Sequence, residues 1–158
     1  MTIKRIILSF IILISSLSAI AGGIGTWKSY LSYANIQWVE QGGNRLYVLA
    51  SNALYTYNKA DQSIQTYDKQ NGLSSIDIRF IGWNEVAKRL VIVYEDNNID
   101  LMDAKGNVTN VPDYYLKALT SDKTVYSIDM NGAYCYLSTG FGLVKLNVAK
   151  AEISDSYN

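Results

Sequence analysis

The chain has 158 residues, with 14 basic and 14 acidic side chains and a formal net charge of zero. That is length for about one domain, in a globular composition with no like-charge run or basic stripe, so nucleic acid is not an expected partner. Histidine is absent and Cys135 is the only cysteine, which excludes within these residues a His-based triad, a His metal ligand, an internal disulfide and a Cys-based zinc site.

The first residues read as a targeting segment. Lys4 and Arg5 form a basic start, residues 6–14 are an apolar run, and Ala19-Ile20-Ala21 is an A-x-A cleavage site before Gly22. Residues 6–21 include four serines and fall short of the ~20 apolar residues a bilayer span requires, so a signal peptide over 1–21 is favoured over a membrane anchor. The mature chain, 22–158, keeps 12 basic and 14 acidic residues. It contains no further stretch able to span a membrane and is expected to be exported. Cys135, in "AYCYLS", is expected to be a small buried hydrophobe.

Beyond the signal, apolar and polar residues alternate in short runs broken by Gly, Asn, Asp and Ser, with no sustained helical period. The expectation is all-β. Residues 26–30, "TWKSY", read as a leading strand of the kind that closes a ring. Three segments then align: "RLYVLASNALYTYN" from Arg45, "RLVIVYEDNNIDLMD" from Arg89 and "AYCYLSTGFGLVKLN" from Ala133. Leu46, Leu90 and Tyr134 match at a step of 44 residues. Each segment is a strand, a tight polar turn and a strand, with Ser51-Asn52, Asp96-Asn97-Asn98 and Gly140-Phe141-Gly142 at the turns. Strands precede each hairpin ("NIQWVEQ", "DIRFIGW", "VYSIDM") and follow it ("SIQTYDK", "NVTNV", "AEISDSY"). Four strands per repeat of this length predict β-propeller blades, over about 34–70, 75–113 and 122–158. A β-sandwich also spaces short strands evenly, but gives no reason for the self-similarity. The turn at Asn71-Gly72, in "QNGLSS", is expected to carry the chain from the outermost strand of one blade to the innermost of the next. Propellers close with about 4–8 blades, so a partial propeller is expected, with unpaired strand edges that favour association.

The same residues carry a family resemblance. "YDKQNGLSSIDIRFIGW" followed by "RLVIVYEDNNIDLMD" resembles the two-component-regulator propeller repeat. "GTWKSYLSYANIQWV", "RLYVLASNALYTYN" and "QTYDKQNGLSS", directly behind a signal peptide, resemble the N-terminal propeller of PorZ-like proteins. The resemblance covers about residues 25–158 and is weaker in the third blade, where "DYYLKALTSDKT" departs from the Gly-Leu-Ser crossing. It implies an interaction or scaffold module of the type IX secretion attachment complex at the cell surface. The implied partners are proteins of the envelope, with surface polysaccharide as a further ligand, and PorZ-like proteins carry a second propeller and a C-terminal β-domain besides a propeller of this kind. The alternative is the periplasmic ligand-sensing propeller of a hybrid two-component regulator.

Candidate chemistry is sparse. Asp96, Asn97, Asn98, Asp100 and Asp103 lack the Gly and Glu of a calcium loop and read as a hairpin turn plus strand. Asp129 and Asn131-Gly132 read as a turn, and "STGFG" (138–142) as a tight hairpin without a Walker lysine. Trp27, Trp38 and Trp83 could form a sugar-stacking platform, but blade-to-blade packing is the expected role. No spacing among the acids selects a catalytic pair. Catalytic residues, cofactor and metal are therefore expected to be none.

Overall fold

A computed structural model describes residues 32–157 of the chain. The signal segment with Ala19 and Ala21, Trp27 and the leading strand at 26–30 lie outside the described residues. Three four-stranded antiparallel sheets follow one another. The first holds β1 (Ile36–Gly42), β2 (Arg45–Ala50), β3 (Ala53–Asn58) and β4 (Ile64–Tyr67). The second holds β5 (Ile78–Asn84), β6 (Arg89–Tyr94), β7 (Ile99–Asp103) and β8 (Val108–Asn110). The third holds β9 (Val125–Asn131), β10 (Tyr134–Thr139), β11 (Gly142–Asn147) and β12 (Glu152–Tyr157). Strand order within each sheet is chain order. The first strands approach one another, β1 against β5 and β5 against β9, so the sheets fan outward from a shared inner edge. This is a partial β-propeller with β1, β5 and β9 lining the channel side.

The tight hairpins follow from turn chemistry. Ser51 and Asn52 sit at φ 48° and 60°, the twist a two-residue loop between right-handed strands requires. At the opposite end, an Asx side chain closes each third strand: Asn58 accepts the Ala60 N–H, Asp103 the Lys105 N–H and Asn147 the Lys150 N–H. The sequence suggested no helix. The structure adds one turn, α1 (Asp113–Leu116), where the third blade's approach departs from Gly-Leu-Ser. Pro112 precedes it, and its fixed φ suits a helix start.

Two interblade cores hold the fan together. Strand period two sends Leu90, Ile92 and Tyr94 of β6 to the first sheet, where they meet Tyr47, Leu49 and Leu54. Val91 and Val93 face the third sheet and meet Cys135, Leu137 and Leu146. The expected match of Leu90 with Tyr134 is one residue off. Arg45 pairs with Asn58, Arg89 with Asp103 and Tyr134 with Asn147, so the structural equivalent of Leu90 is Cys135. A slip of one residue exchanges the two faces of a strand, which is why Cys135 is fully buried while Tyr134 lies on the other face.

Burial, reinforced by the nearby Asp129 carboxylate, pushes the Cys135 thiol from its ordinary value of 9.0 up to about 12. The unfolded chain therefore releases this proton at lower pH than the native chain. The thiol's contribution to stability is complete below its ordinary value and is lost as pH rises through that window. At pH 8, a colorimetric disulfide reagent is expected to label Cys135 only at the rate at which the chain unfolds. Labelling at the free-thiol rate under native conditions would show the second interblade core to be open.

Candidate functional site

The channel-lining strands share a device. Each carries a β-bulge one residue into the strand. Register shifts between Ile36 and Trp38 on β1, between Ile78 and Phe80 on β5, and opposite Ser138 and Thr139 on β9. The extra residues are Gln37, Arg79 and Tyr126. A bulge re-aims its side chain out of the ladder. Gln37 exchanges two hydrogen bonds with Asn52 of its blade's hairpin turn, at 2.7 and 2.8 Å. Arg79 pairs with Glu95 at the equivalent turn, 3.0 Å away. Tyr126 donates its O–H to Asp122 at 2.7 Å, and that bond, then the carboxylate charge, raises the phenol pKa. The three bulged residues thus occupy the same place on successive blades, at one end of the channel-side edge.

Beside them lies a cleft of about 600 Å³ crossing all three inner strands, lined by Trp38, Glu40, Arg79, Phe80, Asp129 and Met130 among others. The tryptophans divide here. Trp83 is 9% exposed and stacks on Tyr47 at 5.3 Å, the packing role expected of it. Trp38 is 58% exposed and lies outside both interblade cores. Its Nε1–H donates to Glu40 Oε1 at 2.7 Å, and Glu40 Oε2 accepts the Trp83 N–H at 3.4 Å. Asp129 is not in a turn. It lies within β9 and lines the same cleft, because the β9–β10 turn begins only at Gly132, whose φ of 58° makes the reversal.

The segment joining the first two sheets is clasped at both ends. Asp68 accepts the N–H groups of Gln70 and Asn71, while Asn71 accepts the Asp68 N–H at 2.6 Å and donates to Thr66 O at 2.9 Å. Gly72 sits at φ 124° in open space, a conformation L side chains rarely adopt. Leu73 is buried in the first interblade core. The Ser74 N–H donates to Asp100 Oδ2 at 2.8 Å, and the Ser75 hydroxyl donates to Asp96. Gly72→Ala is expected to cost about 1–3 kcal/mol through backbone strain alone, read as a lowered urea midpoint at unchanged m-value.

The other acids and amides of the second blade are structural. Asp96, Asn97 and Asn98 form the turn between β6 and β7, and Asp103 caps the next one through Lys105 and Asn107. Asp100 is the residue that sequence reasoning undervalued. It is fully buried and accepts from Tyr94 O–H at 2.6 Å, Ser74 N–H and Asn110 Nδ2. Residues 138–142 form a hairpin in which Thr139 Oγ1 donates to Gly142 O. Among the described residues, no three Cys, Asp or Glu side chains are placed to hold a metal ion, and no helix is long and apolar enough to cross a membrane.

Comparison with known proteins gives three kinds of result. A family model described as the N-terminal β-propeller domain of PorZ, of the type IX secretion system, matches residues 46–158. No curated protein matches the chain. Among solved structures, PorZ of Porphyromonas gingivalis, described as an essential bacterial surface component of the type-IX secretion system, is 33% identical with a TM-score of 0.78, over 84% of this chain and 18% of that one. An extracellular domain assigned to a one component system of B. thetaiotaomicron is 15% identical with a TM-score of 0.61, over 85% of this chain and 18% of that one. AztD of Citrobacter koseri is 14% identical with a TM-score of 0.59, over 78% of this chain and 34% of that one. The last two likenesses carry the fold alone.

Proposed function

The chain belongs to the family of PorZ N-terminal β-propeller domains, and from that premise we propose that it is an exported interaction module of a type IX secretion surface component, working by recognition rather than catalysis. The observation that carries this is the family match over residues 46–158 together with the 33% identity to PorZ of P. gingivalis. The chain spans 18% of that protein, so the role proposed is that of one recognition element in a larger assembly. Residues 1–21 serve as the signal peptide, cleaved after Ala21. Residues 22–158 form the partial propeller, with blades over about 34–70, 75–113 and 122–158 by the spacing of its strands. Asn71 and Gly72 provide the crossing from the first blade to the second. Partners are envelope proteins, and surface polysaccharide is a further ligand class by the family's resemblance.

The test is made on whole cells that have a type IX secretion system. A photo-cross-linking residue is placed at exposed Val39, on the inner edge, in an epitope-tagged chain. Loss of the tag on external proteolysis, and adducts containing other components of that system, are the expected results. Protection from protease, or adducts with an inner-membrane kinase, would instead favour a sensing propeller.

A further inference from the structure

The channel-side cleft offers two carboxylates and an aromatic face, and its cation is already paired. Trp38 keeps most of its surface in solvent, yet its indole is held by the Nε1–H bond to Glu40. Asp129, on the far inner strand of the same cleft, is exposed and takes part in no ion pair among the described residues. The cation in the lining, Arg79, is neutralised by Glu95, and the Gln37 amide is committed to Asn52. What remains in the lining is an exposed indole bonded to one carboxylate, a second carboxylate across the cleft on β9, and no unpaired positive charge.

We propose that this cleft receives a lysine or arginine side chain of a protein partner, its cationic head against the Trp38 indole with Glu40 and Asp129 as counter-charges. The quadrupole of an indole face attracts a cation, and flanking carboxylates add to that attraction. A neutral glycan also stacks on exposed indoles, but it carries no charge to answer the two carboxylates of the cleft. The β-bulges bear on this directly. They turn Gln37 and Arg79 onto Asn52 and Glu95 of the hairpin turns, so that both line the cleft with a partner already bound, beside Trp38 and Glu40. The inference rests on the proposed role of the chain as a protein-interaction module and specifies the chemistry of the partner.

The probe is a capped tripeptide, acetyl-Gly-Arg-Gly-amide, titrated into the ¹⁵N-labelled full chain. Its lysine and glutamate counterparts and maltotriose serve as comparators. The reporters are the Trp38 indole N–H resonance, assigned by its loss in Trp38→Leu, and the Asp129 backbone amide. The arginine and lysine peptides are expected to shift both saturably, less so with added salt. Trp38→Leu, followed at the Asp129 amide, weakens binding about tenfold, as does Asp129→Asn followed at the indole. Both positions are exposed, and an otherwise unchanged spectrum confirms that the variants are folded. Equal shifts with the glutamate peptide, preference for maltotriose, or no saturable shift with any cationic peptide overturns the proposal. A negative titration leaves the cell-surface cross-linking result standing, and a failed cross-link leaves the titration standing.

Discussion

Asp100→Ala is expected to destabilise the chain by about 3 kcal/mol, as a buried acceptor is lost and its donors are orphaned. Asp100 is fully buried between the first two sheets. It accepts from the Tyr94 hydroxyl at 2.6 Å, the Ser74 N–H at 2.8 Å and Asn110 Nδ2 at 2.8 Å. These losses are unequal. Asn110 also donates to Asn98 Oδ1 and Ile99 O, so it keeps partners. The Tyr94 hydroxyl, whose pKa is raised first by burial and then by the Asp100 charge, is left facing the vacated space. The Ser74 N–H loses the bond that ties the connection between the sheets to β7. Asp100→Ala is therefore expected to accelerate hydrogen exchange at the Ser74 amide beyond what the global loss of stability explains. Tyr94→Phe removes one of the orphans in advance. The double variant is expected to be less destabilised than the sum of the singles by about 1 kcal/mol. Urea unfolding of the four proteins measures this. A value for Asp100→Ala within about 0.5 kcal/mol of the parent, the range of ordinary surface changes, would mean that the cluster is solvated rather than buried.

The difference between Asp100 and its neighbours marks the limit of what the sequence carries. The hairpin turns and the alternation of strand faces were legible because turn residues and period-two patterning are local chemistry. Ser51-Asn52 and Gly140-Phe141 sit where the turn signals put them, while Gly142 is already the first residue of β11, opposite Thr139. The second repeat step was misread because local patterning does not fix phase. "AYCYLS" alternates in either register, and only the ladder pairing of Tyr134 with Asn147 shows that Cys135, not Tyr134, takes the place of Leu90. The bulges at Gln37, Arg79 and Tyr126 left no mark, since none carries the glycine that flags one type of bulge. Trp38 and Trp83 look alike in sequence, each on an inner strand of alternating character. They differ because Trp83 meets the fully buried Tyr47 of the preceding sheet, whereas Trp38 has solvent over it. Asp100 looked like a turn-proximal acid. Its partner Ser74 is far off in the chain, and nothing short of the packed sheets brings the two together.

A close approach between the first two sheets gives the second large effect. At Gly42, the last residue of β1, an added Cβ would lie 2.6 Å from Cδ2 and Cε2 of Trp83 and 2.7 Å from Cε3. The ring has little freedom to yield. It is stacked on buried Tyr47 with an interplanar angle of 18°, and its Nε1–H is held by Glu85 Oε2 at 2.7 Å. Gly42→Ala is expected to cost about 3 kcal/mol, the upper end of ordinary overpacking penalties. Gly43 provides the internal control. It sits at φ 59° with open space where a Cβ would go, so Gly43→Ala tests backbone strain without a clash and is expected to cost about 1–2 kcal/mol. The two glycines are adjacent, yet the reasons for them are opposite: one is required by the neighbouring sheet, the other by the chain's own turn. A second substitution separates them. Trp83→Leu removes the obstructing ring at its own cost in buried area, and it should relieve the penalty of Gly42→Ala by about 1–2 kcal/mol while leaving that of Gly43→Ala unchanged. Thermal and urea unfolding of the singles and the two doubles decide it. If Trp83→Leu relieves both glycine variants equally, or neither, then the ring does not set the distance between the first two blades, and their approach is governed by the Leu49, Ile92 and Tyr94 layer alone.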